Sequence, residues 1–153
     1  MRERDAANAL MLREAFADAK RTNARGVVLM LQADMFHPGM VEDGVVPAET
    51  AERFQPYRET VRLIAELSAG FDGPVYLING DSHVYTADAP LAAGSPWLDV
   101  YGVAPVANLQ RITVEGAATS NEWTRFSVAP QSAGRGKNPV QELLTWERVP
   151  YTR

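Results

Sequence analysis

Apolar positions recur at intervals of three and four in two stretches of the chain, which predicts two amphipathic helices. The first covers residues 2–22, where Ala6, Leu10 and Phe16 form a stripe among charged residues. The second covers roughly Glu52 to Ala69. Its apolar positions are Phe54, Tyr57, Val61, Ile64 and Leu67.

Two short apolar runs, 27–31 and 74–79, flank the second helix and predict buried strands. A strand, a helix and a second strand imply a right-handed crossover, which makes the two strands parallel. If they are neighbours, their carboxyl ends lie about 5 Å apart. The segments 35–50 and 84–108 contain many helix and strand breakers, so we expect loops there.

The last third of the chain alternates apolar and polar residues with a period of two. Segments 109–115 and 122–128 show this pattern, and 143–149 is a third candidate strand. The short loop 116–121 contains glycine, which predicts an antiparallel hairpin of the first two. We also expect a loop at 129–138. The whole chain, 1–153, then reads as a single α/β domain in which parallel strands with a crossover helix precede an antiparallel β region.

Polar side chains follow both predicted parallel strands. Asp34 and His37 come after the first, and Asp81 and His83 come after the second, where Gly80 permits a sharp turn. Open α/β sheets bind ligands at this edge. Carboxylate and imidazole groups suit Zn, Mn or Fe, so Asp34, Asp81 and His83 are candidates to share one divalent ion. The alternatives are an Asx turn or cap at Asp34, a structural turn at 81–83 and an exposed loop residue at His37.

The composition and charge of the chain argue against several classes of protein. The net charge of −4 disfavours general nucleic-acid binding, and the absence of cysteine excludes disulfides and thiolate metal sites. No apolar stretch has the length of a membrane span. Residues 1–25 are charged throughout and contain no signal-peptide core, so we expect a cytoplasmic protein, although a longer relative could be secreted.

The segment Pro74-Val75-Tyr76-Leu77-Ile78-Asn79-Gly80-Asp81-Ser82-His83, with Val27 to Phe36 before it and Arg111 to Gly116 after it, resembles a known family. It is similar to the C-terminal half of calcineurin-like metallophosphoesterases. The closer resemblance is to a bacterial subgroup whose last metal motif reads Gly-Asp-x-His. This implies half of a metallophosphoesterase-like α/β sandwich.

The resemblance also implies roles for individual residues. His83 matches a metal ligand, and Asp81 stands in the place of the motif's first histidine. Asp34 lies where the family has a ligand histidine after the first strand. The family's earlier metal motifs are absent upstream of residue 27. The chain therefore corresponds to half of the fold, either as a fragment or as a half-enzyme that pairs with a second copy.

Two functions follow as expectations. The first is a metal-dependent hydrolase of small-molecule phosphoesters, slow and tolerant of substrate, whose site a homodimer completes. Asp34, Asp81 and His83 would be the metal ligands, and His37 would be a general acid. The second is a non-catalytic remnant of a metallophosphoesterase, which acts as a structural or interaction module.

Overall fold

The protein has an α/β fold, described by a computed structural model for residues 2–116, 121–130 and 143–151. Its helices are α1 (Arg2–Arg21), α2 (Ala48–Phe54), α3 (Arg58–Ala69) and α4 (Trp97–Tyr101). Its strands are β1 (Val27–Met30), β2 (Val75–Asn79), β3 (Thr86–Asp88), β4 (Leu109–Thr113), β5 (Glu122–Val128) and β6 (Leu144–Pro150). Short 3₁₀ helices occupy Pro38–Met40 and Gln55–Tyr57.

The predicted pair of parallel strands is confirmed. β1 and β2 are neighbours, with Val27 opposite Val75, and α2 and α3 lie between them in the chain. β4 pairs in parallel with the other side of β2, and β3 pairs antiparallel with β4. The strand order β1-β2-β4-β3 brings the carboxyl ends of β1, β2 and β4 to one edge of the sheet.

The predicted hairpin of 109–115 with 122–128 is wrong. β4 lies inside the four-stranded sheet, whereas β5 pairs with β6, with Phe126 opposite Trp146. Alternation shows that one face of a strand is buried, but it does not identify the partner strand. Predicted loop positions 117–120 and 131–138 lie outside the described residues.

The second predicted helix begins earlier than expected and is divided. α2 starts at Ala48, and the 3₁₀ turn at Gln55–Tyr57 separates it from α3. Pro56 explains the division, because its nitrogen carries no hydrogen for the helical ladder. Segment 84–108, expected to be irregular, contains β3 and α4. α1 is confirmed, but Leu10 is exposed.

The central strand β2 is covered on both faces of the four-stranded sheet, so all five of its residues are buried. One face packs against the helices through Phe16, Val61, Ile64 and Leu77. On the other face, Tyr76, Ile78 and Ile112 pack against Leu144 of β6. Among the helices of the described residues, none is both long and apolar enough to cross a membrane.

Candidate functional site

An open pocket of about 350 Å³ lies beside the carboxyl ends of β1 and β2. Its lining combines two carboxylates, an imidazole and a guanidinium with one methionine, one serine and two aromatic side chains. The lining residues are Asp34, His37, Met40, Arg53, Phe54, Tyr57, Asp81 and Ser82. The parallel arrangement of β1 and β2 brings the segments that follow them together here, as the sequence predicted.

Asp34 is buried, and only one of its two carboxylate oxygens accepts hydrogen bonds from the described residues. Oδ1 accepts hydrogen bonds from the backbone N–H of Phe36, at 3.0 Å, and from Nη1 of Arg111, at 2.9 Å. The bond to Phe36 forms the Asx turn that was the alternative interpretation of Asp34. Oδ2 is also buried and has no hydrogen-bond partner among the described residues. Asp34 therefore shapes the turn and still has a free acceptor.

Arg111 fixes the position of Asp34 from the central strand β4. Its side chain is 1% exposed. Its Nε and Nη2 bind the two carboxylate oxygens of Asp88 at 2.9 and 2.6 Å. A bidentate contact of this kind holds the guanidinium in one orientation. Sequence reasoning missed Arg111, because the alternating pattern of 109–115 does not distinguish a buried ion pair from a solvent-facing arginine.

Asp81 joins the ends of the two strands. Its Oδ1 accepts a hydrogen bond from Nε2 of Gln32 at 2.9 Å, and its Oδ2 accepts one from the backbone N–H of Asp34 at 3.3 Å. The left-handed conformation of this turn is adopted by Asp81, with φ of 71°, and not by Gly80. The expectation that the turn depends on the conformational freedom of Gly80 is therefore wrong. Aspartate is among the residues that tolerate this conformation.

His37 lines the same pocket as both aspartates. It begins the 3₁₀ helix Pro38–Met40, and its Nδ1 accepts a hydrogen bond from the N–H of Gly39 at 3.1 Å. This bond requires Nδ1 to be unprotonated, so the proton of the neutral ring is on Nε2. In this arrangement His37 is a hydrogen-bond donor through Nε2.

His83 lies elsewhere. It adopts a φ of 60°, and its ring occupies the space that the missing side chain of Gly116 leaves open. A Cβ atom on Gly116 would be only 2.2 Å from Cγ of His83. His83 is not among the residues that line the pocket. The structure thus brings Asp34, His37 and Asp81 together and places His83 beside the segment that follows β4.

In the part of the chain that the structure describes, no three or more histidine, aspartate and glutamate side chains are grouped to hold a metal ion. The shared metal site of Asp34, Asp81 and His83 therefore stays a prediction.

The remaining pocket residues were not identified as site residues from the sequence. Phe54 and Tyr57 fit the helical pattern and were assigned to the core, yet they also form part of the pocket wall. Arg53 is exposed and carries no motif that would distinguish it from other surface arginines. Arg53 lines the pocket only because α2 and the turn after β1 are neighbours in the fold, which the sequence pattern does not show.

A buried tyrosine supports the turn that carries Asp34. The hydroxyl of Tyr101 donates to the carbonyl oxygen of Met35. Burial raises the pKa of Tyr101, and the nearby charges of Tyr57 and Asp34 raise it further. Tyr101 is therefore neutral at physiological pH and keeps its proton for this bond.

Comparisons of the chain with protein families, with curated proteins and with solved structures found no match.

Proposed function

We propose that this protein is a metal-dependent hydrolase of small-molecule phosphoesters and corresponds to the C-terminal half of a metallophosphoesterase-like sandwich. The observation that carries the proposal is the buried Oδ2 of Asp34, which has no partner among the described residues, in a residue that lines a strand-end pocket together with Asp81. Burial of a carboxylate oxygen without a partner is costly, and a bound cation would remove that cost.

The ligand atoms that the pocket offers are of a chemical type that divalent metal ions bind. Asp34 and Asp81 offer hard oxygen ligands of the kind that Mn, Fe and Zn accept. The resemblance adds His83 as a third ligand, which requires its ring to leave the space beside Gly116. A second copy of the chain would supply further ligands. When bound, the ion would polarise a phosphoryl oxygen of the substrate as a Lewis acid.

Other groups of the protein would then hold the two carboxylates in position. Gln32 and the backbone of Asp34 hold the carboxylate of Asp81, and Arg111 holds that of Asp34. To act as a general acid, His37 would have to be an imidazolium, which would give up the bond that Nδ1 accepts from Gly39 and would pass its Nε2 proton to the leaving oxygen. Because few groups fix the substrate, we expect slow hydrolysis with broad tolerance of the leaving group.

The second candidate function is a non-catalytic structural or interaction module. It is favoured by the lack of a three-ligand group within 2–116, 121–130 and 143–151, and by the ion pair that Asp34 makes with Arg111. In this interpretation, Asp34 and Asp81 only stabilise the turns that follow β1 and β2.

Metal binding and hydrolysis separate the two functions. Protein stripped with a chelator would be titrated with Mn²⁺ and Zn²⁺ by calorimetry, then assayed on p-nitrophenyl mono-, di- and triesters. We expect Asp81→Asn to lower metal affinity and activity by at least about tenfold, because even loss of a group that only supports a ligand costs this much. The matched control is Asp43→Asn, because Asp43 is also exposed with a positive φ, of 50°, but lies outside the pocket. No metal binding and no hydrolysis by the parent would contradict the proposed hydrolase.

A further inference from the structure

Arg53 has an unusual position among the arginines of this protein. Most of the others whose side chains are described bind carboxylates or backbone carbonyl oxygens. They are Arg13, Arg21, Arg25, Arg58, Arg62, Arg111, Arg125 and Arg148. Arg4 and Arg53 have no such partner among the described residues, and of these two only Arg53 lines the pocket.

A guanidinium without a counter-ion is available to bind an anion. It presents five N–H donors in a planar fork that matches the oxygens of a phosphate group. The pocket tolerates an anion better than its two aspartates suggest, because the buried Arg111 offsets the charge of Asp34. Asp81 has both oxygens engaged by Gln32 and the backbone of Asp34. Arg53 therefore keeps its donors for a ligand.

Two aromatic side chains and a methionine line the pocket together with Arg53. Phe54 follows Arg53 in α2 and is buried, and its ring lies 6.2 Å from that of Tyr57, measured between centroids. Met40 also lines the pocket, and its thioether can adapt to an irregular or aromatic surface. A ligand whose anionic group contacts Arg53 thus has apolar surface available for its organic part.

We propose that Arg53 binds the phosphate group of the substrate, that Tyr57 and Met40 contact its organic part, and that phosphomonoesters of aromatic alcohols are the preferred substrates. This proposal rests on the proposed phosphoester hydrolysis, because it names the substrates of that reaction. The binding that it describes needs neither a metal ion nor turnover. Its failure can therefore be told apart from failure of the catalytic function.

The test measures binding of phenyl phosphate, inorganic phosphate and phenol to metal-stripped protein by calorimetry or by NMR shift titration. We expect phenyl phosphate to bind more tightly than inorganic phosphate and phenol to bind least. Arg53→Ala should weaken both phosphates by about ten- to a hundredfold, the usual value of a charge-assisted hydrogen bond. Arg53→Lys should recover only part of this loss, because an ammonium cannot bind in a bidentate manner.

Tyr57→Ala should remove the preference for phenyl phosphate over inorganic phosphate and leave inorganic phosphate unchanged. The control is Arg4→Ala, which removes the other unpartnered arginine and should change nothing. Equal affinity of the parent and Arg53→Ala for phenyl phosphate would overturn the proposal, even if the protein hydrolyses phosphoesters. Loss of binding in Arg53→Ala would support it, even if the protein has no hydrolytic activity.

Discussion

The carboxylate of Asp34 and the guanidinium of Arg111 form an ion pair with 2.9 Å between Oδ1 and Nη1, and both side chains are almost fully buried. The pair connects the turn after β1 to the central strand β4, two strands away across the sheet. It therefore fixes one wall of the pocket. It also means that changes at Asp34 alter stability as well as any ligand contact.

We expect Arg111→Met to lower the free energy of unfolding by about 3–5 kcal/mol, because the change leaves Asp34 without its buried cation. Asp88 loses its bidentate partner as well. Urea denaturation followed by circular dichroism would measure the change. The control is Arg13→Met, which removes an exposed pair with Glu66 and should cost less than about 1 kcal/mol. Similar values for the two variants would show that the buried pair adds little.

The turn after β2 gives a second prediction, which concerns backbone strain. Gly80 does not adopt a positive φ, and a Cβ atom there would meet only the carbonyl oxygen of Gln32, at 4.0 Å. We expect Gly80→Ala to stabilise the fold by about 0.4–1 kcal/mol, because alanine restricts the unfolded chain. Gly102→Ala is the control, since Gly102 has a φ of 62° and the change should cost about 1–2 kcal/mol. A marked loss of stability in Gly80→Ala would show that the turn requires glycine at position 80.

The sequence was sufficient to predict the parallel pair β1 and β2 and the meeting of Asp34 with Asp81. Two buried apolar runs with a helix between them permit one favoured arrangement, so the residues at their ends must be close. His37 followed Asp34 into the same pocket because only two residues separate them. These predictions needed only the local pattern of apolar residues and the handedness of one strand–helix–strand connection.

The remaining features depended on contacts that the local pattern does not encode. The pairing of β4 with β2, and not with β5, is decided by burial of β4 on both faces. The role of Arg111 depends on Asp34 and Asp88, which lie far from it in the chain. The direction of His83 depends on two positive φ angles in three residues, at Asp81 and His83, which the motif alone does not reveal.

Two buried tyrosines predict loss of stability at high pH. Burial raises the pKa of Tyr76, opposed by the hydrogen bond from the N–H of Leu144, and burial also raises the pKa of Tyr101. A raised pKa in the folded state favours the protonated hydroxyl. The stabilisation is therefore complete below the unfolded value of about 10 and is lost as the pH rises toward the folded values.

We accordingly expect the free energy of unfolding to fall above about pH 10 in the parent protein. Tyr101→Phe should reduce the steepness of this fall, although it also removes the bond to Met35 and lowers stability at neutral pH. Tyr151→Phe is the control, because Tyr151 is exposed. Denaturation at pH 8 and at several values above 10 would measure both effects. An unchanged slope in Tyr101→Phe would contradict the assignment.

Self-association stays a prediction, and the structure suggests where to test it. β1 is an edge strand, and its Val28 and Met30 are 46% and 76% exposed on the face that the β5–β6 sheet covers elsewhere. Exposed apolar edge strands are common sites of pairing. We expect a homodimer at micromolar concentration by light scattering and a shift to monomer in Met30→Lys. Met11→Lys, at another exposed position, on α1, should leave the dimer intact. A monomeric parent would contradict the prediction.

His83 provides the sharpest test of the metal site, because its predicted role and its observed position differ. If it is a ligand, His83→Ala should lower the affinity for Mn²⁺ by at least about tenfold. The fold should remain intact, since the side chain is exposed.

Gly116→Ala should have the opposite effect on affinity. The added Cβ would lie 2.2 Å from Cγ and 2.4 Å from Cβ of His83, so the ring must leave its observed place together with the backbone that carries it. Because the observed position competes with ligation, we expect Gly116→Ala to raise Mn²⁺ affinity. The gain should vanish in the double variant with His83→Ala, which separates release of the ring from a general change in the backbone. Calorimetric titration of the four proteins would measure the coupling. Equal affinities in all four would show that His83 is not a ligand and would leave Asp34 and Asp81 as the only predicted contributors of this chain.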